Sequence, residues 1–380
     1  MAFNLIRNAR MFFTTNVNSG TGVAAASGYL NTNTFEIQVL DGLSFSQNTS
    51  SETVTLNEAG ATPVRGQRSF NTALDPVDFS FSTYLRPADG GTNITAEESY
   101  LWNALLATDP IGGTNPAWTE NTTKATCVAT NSQTHQLQKF ALIILLDGSS
   151  YVIDNCALES ATIDFGLDSI AMAAWVGKGT RLRQIAGLAA TTGSNPTFSG
   201  ATGVLEGSAK GKNVTAPFIA NKLSTLTVTG EIDGTGTAYT LALTGGSLTI
   251  ANNITYLTPA NLGVVNKPVT YFTSTRAISG SLTAYLRTGG NNSATLLADM
   301  LAGSDSDVDP AFLVQIDVGG SANATRVEFE MPAAVLTIPS VATEQVVSTT
   351  INFTAQGSTA SAFDIGAANE LEIRYYTTNA

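Results

Sequence analysis

The sequence predicts a mainly β protein of two tandem homologous β-domains, each with one flanking α-helix. Three observations lead there. A strand-like block repeats: Phe79-Ser80-Phe81-Ser82-Thr83-Tyr84-Leu85-Arg86 returns as Gly280-Ser281-Leu282-Thr283-Ala284-Tyr285-Leu286-Arg287, an offset of 285 − 84 = 201 residues. Upstream, Phe35–Gly42 returns as Tyr239–Gly246, offset 204. The composition is low in charge (13%), 43% hydrophobic, and carries 34 Gly and 12 Pro among many Thr and Ser, which is the chemistry of short strands and frequent turns. At 380 residues the chain can bury a core in each of two domains.

In the first copy a strand is expected over Arg7–Thr14, then a Gly/Ala/Ser loop over Asn18–Gly28. Phe35, Ile37 and Val39 alternate with Glu36 and Gln38, so Phe35–Leu40 reads as a half-buried strand. Another strand begins at Leu43 and Phe45. The polar stretch Gln47–Asn71, with Gly60, Pro63 and Gly66, reads as a protruding arm, and Val77, Phe79, Phe81 and Leu85 alternate back into the core. A helix is predicted over Ala96–Thr108, capped by Thr95, with Glu97 and Glu98 in its first turn and Leu101, Ala104, Leu105 and Thr108 on one side. Pro110 and Gly112-Gly113 end it, and a polar insertion runs to about Gln138. Strands follow at Phe140–Leu146, Ser150–Asn155, Glu159–Phe165 and Ser169–Val176, with Asp147-Gly148 as a hairpin turn.

Residues 184–216 are rich in Gly, Ala, Ser and Thr and read as a linker, which sets the domains at 1–183 and 217–380. The second copy has strands near Lys222–Thr229, Tyr239–Thr244, Ser247–Ile250 and Ile278–Arg287, then a helix at Ala294–Leu301 with Leu297, Met300 and Leu301 clustered. Its late strands are Phe312–Val318, Thr325–Glu330, Ala334–Ile338, Gln345–Thr354 and Glu370–Tyr376. Aligning Ile163 with Ile338 gives an offset of 175 and places about 26 extra residues in the first copy, in the polar stretch Thr108–Gln138. Units this long are whole domains rather than solenoid repeats. Such a pair acts as a covalent dimer, and three chains could close a pseudo-sixfold ring.

The net charge of −12 divides evenly: residues 1–203 hold 10 basic and 16 acidic groups, and residues 204–380 hold 8 and 14. An acidic chain without a basic stripe does not bind phosphate backbones by neutralising them. Cys127 and Cys156 make no disulfide framework. No secretory signal is visible at the start, and the longest apolar run, Phe140–Leu146, is far shorter than the ~18 residues of a membrane span. Synthesis in a cytoplasm follows.

Catalytic constellations are thin. His135 lies in a polar stretch without an orienting carboxylate, and the two cysteines read as small buried side chains rather than nucleophiles. Asp305-Ser306-Asp307-Val308-Asp309 starts like a calcium loop, but Pro310 and Ile316 stand where Gly and Glu are required. Gly207–Asn213 lacks P-loop spacing, and Gly177-Lys178-Gly179 reads as a turn. No catalytic, cofactor or metal site is expected. Glu36, Asp78 and Asp164 are scattered strand carboxylates, open to two readings: a solvated face, or a surface that repels phosphate.

The stretch Asn57–Gly66 leading to Arg68-Ser69-Phe70-Asn71 and Phe79–Tyr84 resembles the duplicated-domain tail tube proteins of long-tailed bacteriophages of the T-five type. Gly245–Pro259 and the opening Leu5–Arg10 are similar to the same family. The resemblance implies β-sandwich domains whose inner sheets join a barrel, trimeric pseudo-hexameric rings stacked head to tail, and long loops locking ring to ring. It also implies a tape measure protein inside the tube during assembly, terminator and baseplate or distal tail proteins at its ends, and double-stranded DNA passing through without specific binding. The location implied is the virion tail, with assembly in the host cytoplasm and no membrane partner. Some relatives carry an additional immunoglobulin-like domain; none is expected after Ala380.

On this reading the arms Gln47–Asn71 and Asn252–Phe272 make inter-ring contacts, with Glu52, Glu58, Arg65, Arg68, Tyr256 and Lys267 as candidates. Glu36, Gln38, Asp78 and Asp164 are the candidates for facing an acidic lumen. The alternative class is an adhesive or receptor-binding β-protein at a surface. Against it stand the missing signal segment and the lack of clustered aromatics. A hydrolase relying on His135 is more remote.

Overall fold

A computed structural model describes residues 9–15, 17, 34–54, 67–89, 93–107, 118–129, 137–146, 149–184, 188–189, 197–198, 217–230, 236–306, 311–320, 325–339, 341–342, 347–357 and 369–377. The first half contains β1 (Arg10–Thr14), β2 (Thr34–Ile37), β3 (Ser44–Val54), β4 (Arg68–Tyr84), β5 (Pro87–Asp89), β6 (Ile94–Ala96), helix α1 (Ser99–Leu106), β7 (Trp118–Glu120), β8 (Ala125–Val128), β9 (Phe140–Leu146), β10 (Ser149–Asp164), β11 (Met172–Gly179) and β12 (Arg181–Gln184). Two short strands follow, β13 (Leu188–Ala189) and β14 (Thr197–Phe198), in the stretch expected as linker, most of which lies outside the described residues. The second half contains β15 (Thr225–Gly230), β16 (Ala238–Leu241), β17 (Leu243–Ala251), β18 (Ile254–Leu257), β19 (Thr270–Thr273), β20 (Ala277–Tyr285), helix α2 (Ser293–Ser306), β21 (Ala311–Val318), β22 (Arg326–Leu336), β23 (Val341–Ala342), β24 (Ser348–Gln356) and β25 (Glu372–Tyr376). The protein is mainly β, as the composition and alternation predict.

The pairing scheme of the first half recurs in the second. β2–β1–β9–β10–β12 is matched by β16–β15–β21–β22–β25, and β3–β4–β11–β10 by β17–β20–β24–β22, all antiparallel. In each half one long strand serves both sheets. Ser150–Asn155 and Glu159–Phe165, expected as separate strands, are two parts of β10, because the chain bends at a bulge between Ile153 and Cys156 rather than breaking. Asn155 takes a left-handed conformation at that bend (φ 46°). The stretch expected as Thr325–Glu330 and Ala334–Ile338 is likewise mostly the single strand β22, with a shift in the same place, between Met331 and Ala334.

Registers refine the sequence alignment. Tyr84 opposes Met172, and Tyr285 opposes Ser348, so β11 and β24 correspond at an offset of 176. Ile163 opposes Ala173 and Val341 opposes Thr349, so the counterpart of Ile163 is Val341 rather than Ile338. The Ser44–Ser80 hydroxyl pair (2.9 Å) is matched by Ser247–Ser281 (3.3 Å).

One cross-strand pair recurs with its members exchanged. Phe79 on β4 lies opposite Gly177 on β11; at the corresponding place Gly280 on β20 lies opposite Phe353 on β24. A Cβ on Gly177 would meet Phe79 Cζ at 2.4 Å, and one on Gly280 would meet Phe353 Cζ at 2.5 Å. Each ring fills the space its glycine leaves. Gly177-Lys178-Gly179 is therefore part of strand β11, not a turn.

The core lies between the sheets. Phe79 of the β3–β4–β11 sheet meets Phe140 of β9 edge-on at 6.3 Å, and Phe13 stacks on Phe140 at 4.6 Å. Helix α1 is shorter than predicted and begins after Glu98. Thr95 does not cap it, because Thr95 belongs to β6 and its hydroxyl donates to Glu120 Oε1 at 2.5 Å. The helix buries Leu101, Trp102, Ala104, Leu105 and Leu106. Helix α2 is longer than predicted and buries Leu296 and Met300, while Leu301 faces solvent.

Apart from the arms, three contacts help to fuse the halves. β10 pairs with β17, placing Ser160 to Asp164 opposite Ala251 to Ser247. The insertion of the first half supplies the β7–β8 hairpin, and β8 pairs with β25 of the second. Third, Trp102 Nε1 donates to Tyr375 Oη at 2.7 Å, and Tyr375 donates to Glu98. Burial pushes the Glu98 carboxyl up to about 8, although its hydrogen bonds with Tyr375 and the Arg86 backbone oppose the rise.

Two expectations follow. Gly280→Ala places a Cβ 2.1 Å from the backbone oxygen of Ser247, so it should destabilise the fold by about 1–3 kcal/mol in denaturant unfolding, and trimming Phe353 should not restore it. Glu98 binds its proton more tightly folded than unfolded, so its stabilisation is full below about pH 4.3 and is lost as pH rises through about 8. Glu98→Gln should match the parent protein near pH 4 and exceed its melting temperature at pH 9. Asp154, pushed to about 6 by burial despite Arg183, leaves a slope of the same sign at lower pH in both proteins.

Candidate functional site

The β10–β17 ladder turns two four-stranded sheets into one, in the order β3–β4–β11–β10–β17–β20–β24–β22. Alternation gives this sheet two faces. One is apolar and buried: Phe79, Phe81, Trp175, Ile163, Leu248, Ile250, Leu282, Ile351 and Phe353. The other is open and rich in hydroxyls. Ser44, Ser46, Ser80, Ser82, Thr162, Ser247, Thr249, Ser279, Ser281, Thr283, Thr350 and Thr354 alternate with the buried set. Cross-strand hydroxyl pairs run along it: Ser44–Ser80, Thr162–Thr249 at 3.3 Å, Ser247–Ser281, and Thr283–Thr350 at 3.1 Å.

Charge on this face is sparse. Asp78 and Asp164 are exposed on it, and Lys178, opposite Asp78 in register, is paired with Glu159 at 2.7 Å. Glu36 and Gln38 are elsewhere. Glu36 is buried on β2 in the other sheet, where Arg10 Nε and Nη2 donate to its two oxygens at 2.8 and 2.7 Å. Gln38 accepts from Arg86 Nη1 at 2.8 Å. The alternation predicts a polar outer face here, but the structure buries it: Phe12, opposite Glu36, and Ile143 are fully buried on the same face, and Arg10 on β1 neutralises Glu36 there.

Both expected arms leave the sheet as hairpins. β3 and β4 continue past the core as a ribbon paired out to Val54 and Arg68, with residues 48–54 and 67–71 exposed. Glu52, opposite Phe70, and Arg68 are exposed on it; Glu58 and Arg65 lie outside the described residues. The second arm, β18 and β19 with the loop between them, folds back over the first half. Leu74 N donates to Asn266 O at 2.8 Å, and Asn266 N to Thr72 O at 3.1 Å, so the second arm touches the base of the first. The Tyr256 hydroxyl shares its proton between the carbonyls of Asn155 and Lys178, each at 2.8 Å, and Tyr271 donates to Leu137 O at 2.8 Å. Lys267 is exposed on the loop, beside Leu262, Val264, Val265 and Val269, all exposed apolar side chains.

Sequence reasoning missed the cluster at β22 and β25. Arg374 bonds Glu328, Glu330 and Glu372 at 2.5–2.8 Å, and Arg326 lies 3.4 Å from Asp317. The first half uses the same strand pair for Asp154–Arg183 at 2.8 Å. Glu328 and Glu330 reach Arg374 only through the pairing of β22 with β25, so no local pattern announces them.

Among the described residues nothing at these surfaces is arranged for catalysis. Cys127 and Cys156 are fully buried and free, and burial raises both thiols. No group of His, Cys, Asp and Glu among the described residues could hold a metal, and no helix among them is long and apolar enough to cross a membrane. His135 and Gly207–Asn213 lie outside the described residues.

A protein made of one wide sheet with a hydroxyl face and projecting arms has the form of an assembly subunit. The chain is 32% identical over 377 residues to the tail tube protein pb6 of Escherichia phage T5, covering 96% of this chain and 75% of that one. It belongs to the phage tail tube protein family, and its role is structural. The solved SPP1 tail tube subunit matches 42% of this chain and 79% of its own at 15% identity with a TM-score of 0.27, too slight a likeness to carry an argument. No family model matches the chain.

Tyr256→Phe removes one of the bonds that hold the second arm to the first half, leaving those of Tyr271 and Asn266. It should cost about 1 kcal/mol and raise amide exchange across β18 and β19 while leaving β10 and β11 protected.

Proposed function

We propose that the two halves are tandem copies of one tube-forming domain, and that three chains form a pseudo-hexameric ring stacking into the tail tube. The observation that carries this is the single sheet spanning both halves with a buried apolar face and an open hydroxyl face. Three chains supply three times eight, or 24, strands. At a spacing of about 4.8 Å and a tilt of about 40° these close a barrel roughly 50 Å across its backbone. The hydroxyl face lines that channel.

Such a lumen is polar but weakly charged, with Asp78 and Asp164 as its exposed acids. Water wets the hydroxyls, and a phosphate backbone finds no array of cations to neutralise it. Double-stranded DNA would slide through during delivery to the host. A tape measure protein fills the same channel during assembly, and terminator and distal tail proteins close the ends. The arms supply the stacking contacts: the exposed β3–β4 ribbon with Glu52, Glu58, Arg65 and Arg68, and the apolar loop beside Lys267. The tube is assembled in the host cytoplasm and resides in the virion tail.

Negative-stain microscopy of the purified protein tests the reading. Hollow tubes or rings are expected; stable monomers with glycan affinity would instead favour an adhesive surface protein. Removing residues 55–68 should leave a folded protein that no longer polymerises, and normal tubes from that deletion would refute the role of the first arm.

A further inference from the structure

Residues 217–224 lead into β15 of the second half, yet they are bound to the first, at the end of β4 away from its arm. Ala171 N donates to Ile219 O at 2.8 Å, and Asn221 N to Ser169 O at 2.9 Å. The Phe218 ring meets Tyr84 edge-on with centroids 5.2 Å apart, and the Arg86 guanidinium lies 4.4 Å from its centroid, within cation–π range. Lys222 lies 3.7 Å from Asp168. A segment of the second half thus latches onto the first by one ring and one cation.

The second half repeats the receiving surface. Tyr285 and Arg287 stand at the places of Tyr84 and Arg86. Val347 stands at that of Ala171, since its carbonyl accepts from Leu286 N at 2.9 Å as Ala171 O accepts from Leu85 N at 3.0 Å. Counting back from Val347, Glu344 falls at the place of Asp168. Arg86 is buried and Tyr84 half-buried, whereas Arg287 and Tyr285 are exposed. The Val347 amide, at the place of the Ala171 donor, has no acceptor among the described residues.

The sequence holds a matching occupant outside the described residues. Met11 opposes Ile37 as Leu226 opposes Leu241, so β1 corresponds to β15 at an offset of 226 − 11 = 215. At that offset, with no gap, Phe3 falls at the place of Phe218 and Arg7 at that of Lys222. We propose that the N-terminal segment of one chain docks on the second half of a neighbouring copy, with Phe3 on Tyr285 and Arg287 and Arg7 beside Glu344. The occupant comes from a second copy because Phe218 belongs to the half after the one it covers, and the half after the second is the first half of another chain. This deepens the tube reading and rests on it. The latch consists of side chains at the end of the sheet, so it can be removed without altering the hydroxyl face.

Photocrosslinking of assembled tubes tests the docking. The photoprobe p-benzoylphenylalanine in place of Phe218 calibrates the method: it should attach to the peptide holding Tyr84 and Arg86 within its own chain and give no covalent dimers. In place of Phe3 it should give covalent dimers and trimers, with the adduct on the peptide holding Tyr285 and Arg287. If the probe at Phe3 prevents assembly, the same probe in place of Tyr285 should capture the N-terminal peptide of another chain. Phe3→Ala and Tyr285→Ala should each raise the protein concentration needed for tubes roughly tenfold, the scale of a desolvated cation–π contact, and Phe3→Tyr should restore it. Neither alanine variant should change the melting temperature of the unassembled chain, whereas Phe218→Ala should lower it. Tubes in which the probe at Phe3 attaches within its own chain or to another surface overturn the docking, as does tube formation that Phe3→Ala leaves unchanged. A parent protein that forms neither rings nor tubes refutes the tube reading itself.

Discussion

Backbone pairing at one place, Ser160 to Asp164 against Ala251 to Ser247, makes a single wall from two sheets. Without that ladder each half would end in an open edge, with unpaired amides and a hydrophobic stripe at its rim. With it, Ile163, Leu248 and Ile250 are fully buried, and the opposite face is rich in hydroxyls, interrupted on β11 by Ala174 and exposed Val176. The ladder is possible because β10 does not stop where it leaves the first sheet. A strand that ended at Asn155 would serve only β9 and β12. The bulge lets the same backbone continue into the second sheet and present its far side to β17.

The halves are bound by more than that ladder. The β7–β8 hairpin adds two strands to the second half's sheet, and Trp102, Tyr375 and Glu98 form a buried chain of donors and acceptors between α1 and β25. A carboxyl buried this deeply keeps its proton near neutral pH, which avoids the desolvation of an uncompensated charge. The second arm ties the halves again through Tyr256 and Tyr271. Two copies joined only by a linker would move against each other; these are held at several separate places, so their relative orientation is fixed by hydrogen bonds.

Much of this was legible in the sequence, for identifiable reasons. Strands with one buried face, such as β4 over Val77–Tyr84 and β24 over Ser348–Thr354, announce themselves by alternation, and the Tyr-Leu-Arg block exposes the repeat. Bends were not legible. Asn155, which takes the left-handed conformation at the bend, reads in the sequence as a strand end, because Cys156, Ala157 and Leu158 after it are all fully buried and show no alternation to carry β10 from sheet to sheet. Helix limits were misread because Thr95 is a good cap by type but is engaged by Glu120. Glu36 and Tyr256 were both expected at working surfaces. Their polar groups are instead satisfied internally, Glu36 by Arg10 and Tyr256 by the carbonyls of Asn155 and Lys178. Tertiary folding alone brings such partners together, and a local pattern holds no trace of them.

The exchanged Phe–Gly pair bears on how two non-identical halves can keep one pairing scheme. Phe79 over Gly177 and Phe353 over Gly280 occupy the same volume from opposite strands. What the wall requires is one ring and one glycine at that crossing, irrespective of which strand gives which, because packing density rather than residue identity sets the spacing of the layers. The hydroxyl face obeys a similar rule. Ser44–Ser80 and Ser247–Ser281 are kept, whereas Asp78 is matched by Ser279, and Asp164 by Ala342. Wetting of the face depends on the hydroxyls, which both halves carry, although β24 places Thr350 and Thr354 where β11 has Ala174 and Lys178. Its small negative charge depends on two residues of the first copy, so in the proposed ring the acids would stand at three places rather than six.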